Sequence, residues 1–184
     1  MSTPETALKI KIFGSPALRE KAKPVARVAD EHRMSLSQMA QLMYSSSGIG
    51  LAAPQIGVAE AMIVVDIGSG LYKVINPRIV KRRGRQSNQE GCLSVPGVCI
   101  KVRRAKRVTV KGLDENAKPV TIDAEDLLAC VFQHEIDHLK GKLIIDYASL
   151  LGKLKIKRKL QELKAKSEHE ELPQSETKSC PLQL

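Results

Sequence analysis

Tryptophan is absent from these 184 residues, and aromatic residues make up only 3% of the chain. Any core must therefore be built from Ile, Val, Leu and Ala, and the basic C-terminal helix has no aromatics on which to stack bases. Four cysteines, Cys92, Cys99, Cys130 and Cys180, are too few and too scattered for a disulfide framework in a chain of this length. Reduced thiols and a cytoplasmic location are expected. No stretch approaches the roughly 18 uninterrupted apolar residues of a membrane span, so no membrane partner is expected. The first residues, Met1-Ser-Thr-Pro-Glu-Thr-Ala7, lack the basic-then-apolar profile of a signal peptide.

Positive charge is abundant. The formal net charge is +10, which suits a polyanionic partner where the charge is localised. Basic residues crowd Lys81–Arg85, Lys101–Arg107 and a final helical stretch.

The length suits one domain with a tail. Leu8–Ile12 alternates and reads as a short edge strand or an extended arm. Leu36, Met39, Leu42 and Met43 fall at helical spacing and predict an amphipathic helix from about Asp30 to Tyr44. Ser45–Gly57 is a loop of small residues ending near one amide side chain, Gln55. It follows a helix and has neither the third Gly of a dinucleotide loop nor a Gly-Lys-Ser/Thr, so both phosphate-loop readings fail. Its composition favours a helix-to-strand connection, although its backbone is open to close approach by a ligand. Ala61–Asp66, Leu71–Asn76, Arg78–Arg83, Val98–Leu113 and Pro119–Ile122 read as strands. Helix, strands, helix, helix in that order predicts an α+β fold with mostly antiparallel sheets. Residues 1–166 are expected to form the domain, with 167–184 a polar, disordered tail.

The chemistry centres on Gln133-His134-Glu135-Ile136-Asp137-His138-Leu139, an H-E-x-x-H sequence. On a helix, residues four apart share one face, so His134 and His138 can point two imidazoles at one cation. Glu135 lies about 100° round the helix, where a general base for a metal-bound water belongs. The run Ala124–Gln133 supports that helix, with acidic residues opening it, Leu127, Leu128, Val131 and Phe132 forming an apolar stripe, and Gly141 ending it. The motif also occurs by chance in ordinary helices. A catalytic site wants three protein ligands and a water. The downstream candidates are poor: Asp137 lies on another face, and Asp146 follows the strand-like run Leu143–Ile145.

Three segments taken together resemble the signature motifs of the peptide deformylases: Gly48-Ile-Gly-Leu-Ala-Ala-Pro-Gln55, Glu90-Gly-Cys-Leu-Ser94 and Gln133–Leu139. The resemblance runs from about residue 8 to residue 165. It implies a central metal-binding helix and removal of the N-formyl group from the initiator formylmethionine of new proteins. The implied ligands are Cys92, His134 and His138, around one divalent metal expected to be Fe(2+), although Zn, Ni or Co fit the same donors. Metal-bound hydroxide would attack the formyl carbon, with Glu135 as base and then acid. The oxyanion donors implied are the Gln55 side-chain amide and the Leu93 backbone N–H. Substrate is expected to pair as an added strand with backbone near Ile49, Gly50 and Gly91. Its methionine would enter a pocket of Ile49, Leu127, Cys130, Val131 and the face of His134. Two positions depart from the family pattern: Asn88, where an apolar residue is usual, and Cys99, where a basic residue often flanks the substrate channel. Asp137 is expected to pair with Arg104, either as support for the metal helix or as a plain surface ion pair.

Two other readings remain open at this point. One is an H-E-x-x-H peptidase, which needs a downstream third ligand. The other is an RNA- or ribosome-binding protein with a closed structural metal site. An enzyme acting on nascent chains also gains from docking at the ribosome, and the basic helix 148–166 is the expected contact, on a monomer.

Overall fold

The computed structural model describes residues 8–169. Three helices, α1 (Asp30–Ser45), α2 (Asp126–His138) and α3 (Leu150–His169), accompany seven strands: β1 (Gly50–Ala52), β2 (Met62–Val65), β3 (Tyr72–Arg83), β4 (Gln86–Glu90), β5 (Ile100–Arg104), β6 (Arg107–Leu113) and β7 (Pro119–Glu125). Every pairing between these strands is antiparallel, in one sheet of order β1-β2-β3-β6-β7 and a second of β4-β5. The α+β expectation holds in that form.

The four apolar residues of β2 explain the layering. Side chains of a strand alternate between faces, and here both faces are covered. Met62 and Val64 pack with Leu36, Met39 and Met43 of α1, whereas Ile63 and Val65 pack with Val131, Phe132 and Ile136 of α2. A third cluster joins Cys92, Ile100 and Val102 to Leu143–Ile145 and Leu163 of α3. The loop carrying Cys92 is thus anchored from the C-terminal side.

Three local readings are corrected, and one open alternative is decided. Leu8–Ile12 forms no strand. It is the extended arm, with Lys11 N–H bonded to the Gln55 carbonyl at 2.7 Å and Phe13 N–H to that of Ser94 at 2.8 Å. The strands expected on either side of Pro77 are one strand, because bulges absorb the residue that cannot donate a ladder bond. Asn76 takes a positive φ of 54° there and is held by two bonds to the backbone of Val25. Ala124 and Glu125 belong to β7, paired with Val108 and Arg107, so α2 starts at Asp126. Leu143–Ile145 leads into a 3-10 turn over Ile144–Tyr147, closed by the Asp146 carboxylate accepting the Leu143 N–H.

Cys99 is half-buried ahead of β5. Cys92 and Cys130 are free and sealed in the core. Of the expected tail, 167–169 continue α3 and the rest lies outside the described residues. No described helix is long and apolar enough to cross a membrane.

Candidate metal centre

Residues 134 and 138 stack one turn apart on α2, as the spacing requires. Their ring centroids are 4.9 Å apart and their Nε2 atoms 3.2 Å apart. Cys92 Sγ approaches from the loop after β4, 3.3 Å from His138 Nε2. The three donor atoms lie within 4.8 Å of one another, and all three residues are buried. Among the described residues this is the one such cluster, and it has no fourth member.

The protein fixes each donor. Glu90 Oε2 lies 3.1 Å from His134 Nδ1. A carboxylate at its ordinary charge only accepts, so Nδ1 carries the hydrogen and Nε2 is left to ligate. The Ser94 and Val95 N–H groups point at Cys92 Sγ, and Val95 N–H also bonds the Cys92 carbonyl at 2.9 Å. Burial, then the nearby Glu135 charge, pushes the Cys92 thiol up. Burial pushes His138 well below the ordinary imidazole range, keeping it neutral. A buried thiol and two imidazoles converging on one point suit a divalent cation of borderline softness, whose charge would turn the thiol into a thiolate ligand.

Glu135 lies beside them, fully buried, with neither carboxylate oxygen bonded to any described residue. Burial raises its carboxyl well above the usual range. Such a group is costly to leave unpartnered. Gly50 of β1 makes room for it: a Cβ there would stand 2.3 Å from Glu135 Oε1 and 2.8 Å from Val131 Cγ1. Gln55 is aimed as firmly. Its Oε1 accepts the Ala52 N–H at 2.8 Å, which turns the amide NH2 toward Ser94 Oγ at 3.2 Å and Cys92 Sγ at 3.7 Å. Leu93, between Cys92 and Ser94, is fully buried with its side chain in the α1 cluster.

The expected pocket residues also assemble. Ile49 and Leu127 are half-buried against the cluster that contains Cys130 and Val131. Gly50 lies on the edge strand of the larger sheet, and Gly91 opens the Cys92 loop. Asn88 of β4 hydrogen-bonds Cys130, whose thiol donates to Glu90 Oε1 at 3.0 Å. Burial and the Glu90 charge push that thiol to about 12, so it stays a donor near neutral pH.

Asp137 and Arg104 do pair, and not as a surface contact. Arg104 is only 6% exposed. It grips Glu90 with two bonds, Nε to Oε1 at 2.8 Å and Nη2 to Oε2 at 2.9 Å, and gives Nη1 to Asp137. Tyr147 OH adds a 2.6 Å bond to Asp137, and the guanidinium lies 4.9 Å from the Tyr147 ring centre. Burial alone would raise Glu90; the bonds and charges of Arg104 and His134 overcome this and hold it at about 2. Sequence reasoning missed the parts played by Glu90, Ser94, Gln133 and Tyr147. Glu90, two residues before a candidate ligand, was the available signal. Gln133, next to the first His, clamps the Ala105 N–H and C=O between β5 and β6 at 2.9 and 3.0 Å. Asp146, the downstream candidate for a third ligand, is instead bonded to Arg19 at 2.7 Å.

Three convergent donors with an unattached carboxylate alongside, and no fourth donor among the described residues, are the arrangement of an open, hydrolytic metal site rather than a closed structural one. Comparison with known proteins places the chain within that class. The profile of the polypeptide deformylase family matches residues 7–154. A peptide deformylase of Halothermothrix orenii is 50% identical over 147 residues, covering 79% of this chain and 96% of that protein. The crystal structure of a peptide deformylase from Legionella pneumophila superposes with a TM-score of 0.81 at 42% identity, covering 88% of this chain and 98% of that one. That of the peptide deformylase from Thermus thermophilus gives 0.83 at 34% identity, over 86% and 98%. The chain belongs to the polypeptide deformylase family, a family of enzymes.

Proposed function

We propose that this chain removes the N-formyl group from the initiator formylmethionine of newly synthesised proteins and releases formate. The observation that carries the reading is the convergence of Cys92, His134 and His138 beside the partnerless Glu135 carboxylate, in a chain of this family.

Cys92 Sγ and the Nε2 atoms of His134 and His138 would hold one divalent metal, expected to be Fe(2+), with Zn, Ni or Co able to use the same donors. When bound, such an ion acts as a Lewis acid that makes water available as a nucleophile near neutral pH. The rest falls to the side chains. Glu135, its carboxyl raised by burial, takes a proton from the attacking water and passes it to the departing amine. The oxygen of that water joins the formyl carbon, the C–N bond breaks, and the peptide leaves with a free amino group. Negative charge growing on the formyl oxygen meets the Gln55 NH2, already turned toward Cys92, and the Leu93 N–H. Backbone of the edge strand at Ile49 and Gly50, and of Gly91 opposite, would hold the peptide as an added strand. Leu127, Cys130 and Val131 would line the methionine pocket, whose wall is partly polar through the Asn88–Cys130 bond.

The catalytic domain spans 1–166, its last helix running on to 169, with the remainder of the chain as its tail, acting as a cytoplasmic monomer. The basic face of α3 is the contact with the ribosome.

The test is formate release from a formyl-Met peptide by anaerobically purified protein loaded with Fe(II) or Ni(II), with acetyl-Met peptide as control. Turnover is expected for the formyl peptide alone. Glu135→Ala should cost on the order of 10²–10⁴ in rate while keeping the metal, and Cys92→Ala should lose the metal. No formate from metal-loaded protein would overturn the assignment. Full activity in Cys92→Ala would favour a peptidase-like site with another ligand.

A further inference from the structure

The chain's positive charge sits on its sheets as well as on α3, whose seven Lys and Arg face two Glu. Between residues 78 and 111 there are eleven Lys and Arg and a single acid, Glu90, so this stretch alone carries a net charge of +10, equal to that of the whole chain. Glu90 is spent on Arg104 in the interior. The other ten cations are all exposed, and among the described residues only Lys106 and Arg107 are in ion pairs, with Asp126 and Glu125.

Strand register sharpens the point. Arg78 faces Lys111 and Arg83 faces Arg107 directly across the β3–β6 ladder. Like charges directly opposite destabilise a sheet, and a ladder that holds two such pairs is arranged against its own stability. The chain then turns so as to concentrate the charge further. Gly84, at φ +65°, brings the β3–β4 turn against Lys106, where a Cβ would meet the Lys106 side chain at 3.2 Å. That sets Arg83 and Arg85 beside Lys106 and Arg107, with Asp123 and Glu125 of β7 lining the far side of the same depression. Along β3, Arg78 to Arg83 spans at most about 17 Å at roughly 3.4 Å per residue, a track long enough for several phosphates.

We infer that this corner, formed by Lys81, Arg83, Arg85, Lys106 and Arg107, is a docking surface for the phosphate backbone of double-stranded RNA. It is separate from α3 and does not depend on the deformylase reading. The absence of any aromatic residue between 78 and 111 removes base stacking and leaves backbone contact as the mode. An anionic membrane fits less well, since interfacial binders join their charge to an apolar helical face, and these cations lie on strands.

The experiment measures binding of the full-length protein to a short RNA hairpin duplex across a series of salt concentrations, for wild type, Arg83→Thr/Arg107→Thr and Arg85→Ser. A Lys157→Glu/Arg158→Glu/Lys159→Glu variant and vesicles of equal parts phosphatidylcholine and phosphatidylglycerol serve as comparisons. The double variant is expected to bind at least tenfold more weakly at low salt, with the log–log salt slope reduced by about one for each phosphate that is no longer neutralised. Its melting temperature should be unchanged or raised, because a cation–cation pair becomes a Thr–Thr pair while the exposed Arg107–Glu125 pair that is lost contributes little, and formate release should be unchanged. Arg85→Ser, on the turn, should show a smaller loss of the same kind. Unaltered RNA binding in both variants, no RNA binding by wild type, loss confined to the α3 variant, or equal affinity for vesicles and RNA would each overturn the inference.

Discussion

α2 and α3 are both amphipathic by sequence, yet the fold treats them in opposite ways. α2 is enclosed: from Ala129 to Ile136 every residue is buried, including the polar Gln133, His134 and Glu135. α3 uses only part of its apolar stripe. Ile156, Leu160 and Leu163 reach the third cluster, while Leu150, Leu151 and Leu154 stand 81%, 72% and 67% exposed. A 3.6-residue period says that a helix has an apolar face; it does not say whether anything covers that face, or whether the polar face is covered too. For α2 the second covering is the ion network of Glu90, Arg104, Asp137 and Tyr147, and this is what makes its polar residues rigid ligand holders rather than solvated side chains.

Removing the network from α2 should produce the largest effect. Arg104→Met leaves Glu90 and Asp137 without their cation, and stability to urea should fall by about 3–5 kcal/mol, the usual result of stranding one partner of a buried pair. Adding Glu90→Gln to that variant should recover much of the loss. Equal stability of Arg104→Met and wild type would show that the network does not anchor the helix.

Acid should reach the same network by another route. Glu90 is held at about 2 in the fold against an ordinary 4.5, so the folded state binds its proton more weakly than the unfolded chain does. The stabilisation is therefore fully present above about pH 4.5, and it is lost as the pH falls through about 2. The shift corresponds to something on the order of 3 kcal/mol. Urea midpoints followed from pH 6 to pH 2 should drop steeply for wild type and less steeply for Glu90→Gln; parallel curves would contradict the assignment.

On α3 the same kind of disruption should do least to the fold. Arg158 and Lys159 make only surface pairs, with Glu162, such pairs contribute little, and Lys157 beside them is exposed. Reversing their charge should leave the urea midpoint and small-peptide turnover within error of wild type while weakening co-sedimentation with ribosomes. Loss of turnover and sedimentation together would place α3 within the catalytic fold after all.

Much of this protein is legible in its residue order. The spacing of His134 and His138 places both imidazoles on one helix face wherever that helix sits, because 3.6 residues per turn is a local property. β2 announces burial on both faces by its unbroken Met62–Val65 run. The α1 stripe is equally local. Readings failed or stayed open where a long-range partner decides the conformation. Leu8–Ile12 alternates like a strand but finds the Gln55 and Ser94 carbonyls instead of a ladder. Ala124 and Glu125 resemble a helix start until β6 claims them.

The site divides along the same line. Residue order alone supplied the two imidazoles, the adjacent carboxylate and the excess of positive charge. Only tertiary structure brought Cys92 from across the chain to 3.3 Å from His138, turned Gln55 toward it and opposed Arg83 to Arg107 across a ladder. It also made Glu90 the pivot of the site, through contacts with residues 14 and 44 positions away. Helical geometry is set by neighbours along the chain, whereas a ligand set, a buried ion network and a strand register are set by which distant segments the core packs together.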